Sequence, residues 1–152
     1  MKLCDALAID RIELSLTSSD RDGAIRELIE MIGRSVQLPD PGSLIGLILE
    51  QEAVKTSGVD QHVAIPHARS DDIEGVVAAL GISGRGIDFQ SLDGQPVHLI
   101  FLILSSETSM PAYMSVLSRT ARIFEGEEIR RQVLGAASAD EIMEIIRTQE
   151  PF

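Results

Sequence analysis

The chain has 152 residues, 44% of them apolar, which suits one folded domain spanning 1–152 and excludes a disordered or low-complexity chain. Thirteen Lys and Arg stand against 24 Asp and Glu, a formal net charge of −11, so phosphate backbones are repelled and nucleic-acid binding is not expected. No apolar run reaches the roughly 20 residues of a membrane helix. One cysteine, Cys4, cannot pair internally and, with no signal-peptide pattern, it points to the reducing cytoplasm.

Arg11–Leu16 alternates and reads as a first strand. Ser19 with Asp22 has the spacing of a capping box. Ala24, Ile25, Leu28, Ile29 and Ile32 then follow at helical spacing. "PDPG" (residues 39–42) breaks the chain, and Ser43 is the expected N-cap of a second helix over 43–55. "HVAIP" is extended, because Pro66 pushes Ile65 away from the helical region. Residues 75–83 and 97–106 are apolar runs of the kind found in strands covered on both faces, with turn and loop between them. Residues 109–124 form a helix with Pro111 in its first turn and an apolar stripe of Met110, Tyr113, Met114, Leu117, Ala121 and Phe124. A short helix follows Gly126, and Ser138 with Glu141 caps the last one. Strands and helices interleave, which predicts a single α/β domain with helices on both faces of a sheet.

Of the three histidines, His62 reads as a solvent-facing residue opening a strand, and His98 as a partly buried ring bonded to backbone. Their spacing with His67 is not that of a metal-ligand set, so no metal is expected. There is neither a G-x-S-x-G nor a P-loop, and no cofactor is implied. Asp71 and Asp72 read as a solvated turn. His67 stands apart, because it projects from a turn stiffened by Pro66 with Arg69 two residues on. A nucleophilic imidazole needs a fixed backbone, one nitrogen held by a local acceptor and the other free. A phosphoryl group on that nitrogen needs cations or donors close by.

"VAIPHARSDD" resembles the active-site signature of the enzyme IIA domains of the bacterial sugar phosphotransferase system, mannitol/fructose class, which includes the nitrogen-regulatory enzyme IIA proteins. "FQSLDGQPVHLIFLIL" resembles the family's turn into a buried strand, and residues 117–147 resemble its C-terminal helices in order and spacing. The resemblance implies an α/β fold with a mixed sheet sandwiched between helices on both faces, and it implies that His67 accepts a phosphoryl group from a histidine-containing phosphocarrier protein. In sugar-transport members the group passes to an enzyme IIB. In nitrogen-regulatory members it signals to partners such as potassium transporters and sensor kinases. The chain ends at Phe152 without attached domains, which favours a stand-alone regulatory member.

Four slots depart from the family pattern. Gln51 stands where the family usually has an arginine, and Tyr113 where it usually has a second histidine. Asp60 and His62 occupy slots that are usually glycine. Glutamine donates hydrogen bonds without charge, and a tyrosine hydroxyl can donate to phosphate, although Tyr113 equally suits packing. The expected site is therefore His67 as acceptor, with Arg69, Gln51 and Tyr113 as the phosphate pocket. The alternative is a regulatory binding module that keeps the fold and transfers phosphate poorly or not at all.

Overall fold

In the computed structural model, which describes residues 1–58 and 61–151, five strands form one sheet: β1 (Ile12–Glu13), β2 (Val63–Ala64), β3 (His67–Arg69), β4 (Val76–Ile87) and β5 (Val97–Ser105). β4 and β5 pair antiparallel in the middle. β1 lies parallel to β4 on one side, and β2 and β3 lie parallel to β5 on the other. The sheet is mixed, as expected. Six helices complete the chain: α1 (Leu3–Ala6), α2 (Arg21–Ser35), α3 (Pro41–Val54), α4 (Met110–Ile123), α5 (Glu127–Leu134) and α6 (Ala139–Gln149).

Alternation along the central strands divides the core in two. Val77, Ala79, Ile100, Leu102 and Leu104 face α2 and α3. Ala78, Leu80, Leu99, Phe101 and Ile103 face α1, α4, α5 and α6. Both layers are closed by aliphatic side chains, with Phe101 packed on Phe124 at 4.5 Å between ring centroids. Burial on both faces is why β4 and β5 read as nearly unbroken apolar runs.

β2 and β3 are one edge strand interrupted by a proline. Val63 faces Leu99 and His67 faces Ile103, so both pieces share a single register on β5. Pro66 has no N–H to give the ladder, yet its carbonyl still accepts from Ile103 N at 3.0 Å. The sequence places His67 in a turn after a strand; in the structure it opens β3. Pro66 interrupts the hydrogen bonding without ending the strand.

Several other boundaries differ from expectation, each for a local reason. The N-cap of α2 is Asp20, not Ser19, and its carboxylate accepts from Gly23 N at 2.7 Å. The N-cap of α3 is Asp40, which accepts from Ser43 N at 3.2 Å, so Ser43 is a donor inside the helix rather than its cap. Ser138 does cap α6, but the Glu141 carboxylate reaches Ala137 N, one residue before the cap. β1 covers only two of the six residues expected. β4 runs four residues past the expected end, through Gly84 and Gly86, with an irregular register between Ile82 and Ile87. Gly86 has φ +85°, and a Cβ there would lie 2.8 Å from Pro96 Cβ. Gly86 thus serves a close strand approach that it conceals in the sequence.

The expected stripe of α4 is displaced. The helix buries Tyr113, Val116, Thr120 and Ile123, while Met110 is 39% and Met114 53% exposed. Thr120 hides the pattern, because its hydroxyl donates to Val116 O at 2.8 Å and is satisfied without leaving the core. Met110, Met114 and Ala121 are thereby freed from the core, Leu117 packs at its edge, and all four border the cavities beside His67.

Candidate active site

The strand that carries His67 also orients it. Ala68 is buried toward α2 and α3, so His67 and Arg69 project from the opposite face of β3, both exposed. The His67 ring lies 6.0 Å from the Tyr113 ring of α4, centroid to centroid. Its Nδ1 is 2.7 Å from Ile65 O. A carbonyl can only accept, so Nδ1 carries the hydrogen and the lone pair of the neutral ring resides on Nε2. Pro66 lies between these two residues and restricts the backbone that sets this contact.

Two cavities flank the ring. One, of about 450 Å³, is lined by His67, Arg69, Gln51 and Tyr113, with Met110 and Met114 at its rim. It brings together all four residues singled out in the sequence: one from α3, two from β3 and one from α4. The Tyr113 ring is almost wholly buried, and burial pushes its hydroxyl up to about 12, with nearby Arg69 pulling the other way. The phenol is therefore a neutral donor throughout the physiological range. Tyr113 packs in the core and also lines this cavity.

The second cavity, of about 460 Å³, is lined by His67, Gln51, Glu52, Lys55, Ser57 and Leu117, among others. Glu52 is only 6% exposed, and its carboxylate accepts from Ser57 N at 3.0 and 3.2 Å, which fastens the end of α3 to the segment leading toward His67. Ser57 Oγ is buried and has no hydrogen-bond partner among the described residues. Glu52, Lys55 and Ser57 were not singled out in the sequence. Their only signal is position: Lys55 follows Gln51 by one helical turn, which matters once α3 is known to face His67.

The other two histidines differ in how they compare with expectation. His98 Nδ1 lies 2.8 Å from Ser83 O, a backbone partner as anticipated. His62 is not extended. Its φ is +70°, its Nδ1 lies 2.7 Å from Pro96 O, and its ring sits 5.4 Å from that of His98. Gln61 is also left-handed, at φ +62°. The backbone here keeps a conformation that suits glycine, and His62 meets its strain with a carbonyl bond. Asp60, the other residue in a glycine slot, lies outside the described residues. No cluster of three or more His, Cys, Asp or Glu able to hold a metal occurs among the described residues.

Residues 6–149 match the family model for the phosphoenolpyruvate-dependent sugar phosphotransferase system, EIIA 2. The chain belongs to this family. It is 33% identical over 150 residues, 99% of its length, to the fructose-specific EIIABC component of the phosphotransferase system of Bacillus subtilis, of which it spans 24%. It is 28% identical to the nitrogen regulatory protein of Bradyrhizobium diazoefficiens, covering 96% of this chain and 95% of that one. The crystal structure of the nitrogen regulatory protein IIA-Ntr from Neisseria meningitidis superposes with a TM-score of 0.87 at 26% identity, over 95% of this chain and 98% of that one. The mixed sheet between helical layers is thus the fold of an enzyme IIA protein. No helix among the described residues is long and apolar enough to cross a membrane.

Proposed function

We propose that this enzyme IIA protein is a phosphoryl carrier of the nitrogen-regulatory type. His67 Nε2 is the acceptor, and a histidine-containing phosphocarrier protein in the cytoplasm is the donor. The observation that carries the reading is the 2.7 Å contact of His67 Nδ1 with Ile65 O, which leaves Nε2 as the nucleophile beside Arg69, Gln51 and Tyr113. In the transfer, the Nε2 lone pair attacks phosphorus, the P–N bond to the donor's histidine breaks, and the donor's ring takes back its electron pair. His67 becomes an imidazolium bearing a phosphoryl group, and its Nδ1–H still points at Ile65 O, a bond that strengthens as the ring gains charge. Arg69 faces the phosphoryl oxygens, with Gln51 and the neutral Tyr113 hydroxyl as donors. The carrier then signals to, or passes the group to, a partner: an enzyme IIB, a regulated transporter or a sensor kinase. The structural likeness to the nitrogen regulatory protein IIA-Ntr, with a TM-score of 0.87 at 26% identity, supports the regulatory type.

A second reading is a binding module that keeps the fold but transfers phosphate poorly. Gln51 in the arginine slot favours it. Labelling with phosphoenolpyruvate, enzyme I and the phosphocarrier separates the two. One phosphoryl group per chain, lost in His67→Ala, is expected; equal labelling of His67→Ala, or none of the wild type, would sink the carrier reading.

A further inference from the structure

The charge missing at Gln51 leaves an electrostatic problem in the cavity it lines. Glu52 sits in the same wall, and its hydrogen bonds come from a neutral backbone amide. A phosphoryl group on Nε2 brings roughly two negative charges toward that carboxylate. Arg69 answers from the other cavity, on β3. In the second cavity the one cation among the described lining residues is Lys55. Lys55 follows Gln51 by four residues as the C-cap of α3: its backbone is already extended, but its N–H still bonds to Gln51 O, and both side chains line this cavity. Its ammonium is a point charge on a four-carbon stem, able to approach a phosphate without the fixed fork of a guanidinium. Ser57 Oγ, buried and unpartnered in the same wall, is a further donor without an acceptor.

We propose that Lys55 contacts the phosphoryl group on His67 and supplies the cation that Gln51 cannot. This rests on the carrier reading above. The charge has moved to the end of α3 and reaches His67 through the second cavity, which Arg69 does not line. The phosphate is held between a strand-borne guanidinium and a helix-borne ammonium.

The test compares wild type, Lys55→Met, Lys55→Arg and the double variant Gln51→Arg/Lys55→Met, each phosphorylated through enzyme I and the phosphocarrier. Labelling rate is measured first. A ³¹P NMR titration of the isolated phosphoprotein then reads the pKa of the phosphoryl group, which no docking contact with the carrier can move. A neighbouring cation favours the dianion and lowers that pKa, so its loss raises it. Lys55→Met is expected to slow labelling about tenfold and to raise the phosphoryl pKa by roughly one unit. Lys55→Arg retains both wild-type values, and Gln51→Arg restores both in the Lys55→Met background. A labelled wild type whose Lys55→Met variant has the same phosphoryl pKa overturns the proposal and leaves the carrier reading standing, whether or not the rate changes. An unlabelled wild type overturns both.

Discussion

His67 and Arg69 sit two apart on one strand, so their shared face follows from the alternation of β structure alone. Tyr113 reaches them from another layer, and its hydroxyl can be tested apart from its ring. Tyr113→Phe keeps the buried ring and removes only the donor. His67 labelling is expected to slow about fivefold, the scale of one neutral hydrogen bond, while the thermal midpoint stays nearly unchanged. A stability loss with labelling intact would make Tyr113 a packing residue only. Of the site, His67 and Arg69 were legible in the local sequence. Gln51 and Tyr113 were legible only through the resemblance, because residues on different elements have no common pattern along the chain. Glu52 and Lys55 were not legible, since their relevance depends on which face α3 turns toward β3. Which ring nitrogen of His67 is free was hidden too, because the backbone carbonyl of Ile65 that engages Nδ1 leaves no mark in residue identity.

At the scale of elements, hidden satisfaction of polar groups explains what the sequence obscured. Thr120 sits in the core because its hydroxyl bonds within α4, and this rotates the apparent apolar stripe by one position. Pro66 looked like the end of a strand, although its carbonyl keeps β3 in register. The buried central strands and the spacing of α2 and α6 were plain because each face is consistently apolar. The segment entering α2 is fixed by a carboxylate. Glu27 accepts from the backbone N–H and the hydroxyl of both Thr17 and Ser18. Partial burial pushes its carboxyl up, but those donors outweigh burial and hold it below the ordinary 4.5. A carboxyl depressed by folding stabilises fully above its unfolded value, and that contribution is lost as the pH falls through the folded value. Glu27→Gln is expected to cost about 1 kcal/mol in urea unfolding at neutral pH, with the gap to wild type closing below pH 4.5. A gap that stays constant across that range would assign the loss to something other than the charged acceptor.

Over the whole molecule, one carboxylate draws distant parts of the chain together. Glu150 is 3% exposed and accepts from Leu3 N at 2.9 Å, from Cys4 N at 3.0 Å and from the Arg119 guanidinium at 3.4 Å. It supplies the start of α1 with an acceptor that Lys2 does not provide, and it ties α1 to α4 and to the end of α6. Burial, then the neighbouring Glu150 charge, pushes the Cys4 thiol up, which fits an inert thiol rather than a reactive one. Glu150→Ala leaves two backbone donors and a guanidinium without their acceptor. It is expected to cost about 2–4 kcal/mol by denaturant unfolding, with the first residues becoming open to proteolysis. A loss well under 1 kcal/mol would show water replacing the carboxylate at little cost. The net charge of −11 adds a long-range effect, because basic partners are steered toward this surface and high salt slows that encounter.

The Glu150 tie also sets an order in time. During synthesis Leu3 and Cys4 leave the ribosome early, but the carboxylate that receives their N–H groups is made 146 to 147 residues later. A helix of four residues is too short to persist alone. The turn at Leu3–Ala6 therefore gains its acceptor only after residue 150 has been made, so its closure is among the late steps of folding during synthesis.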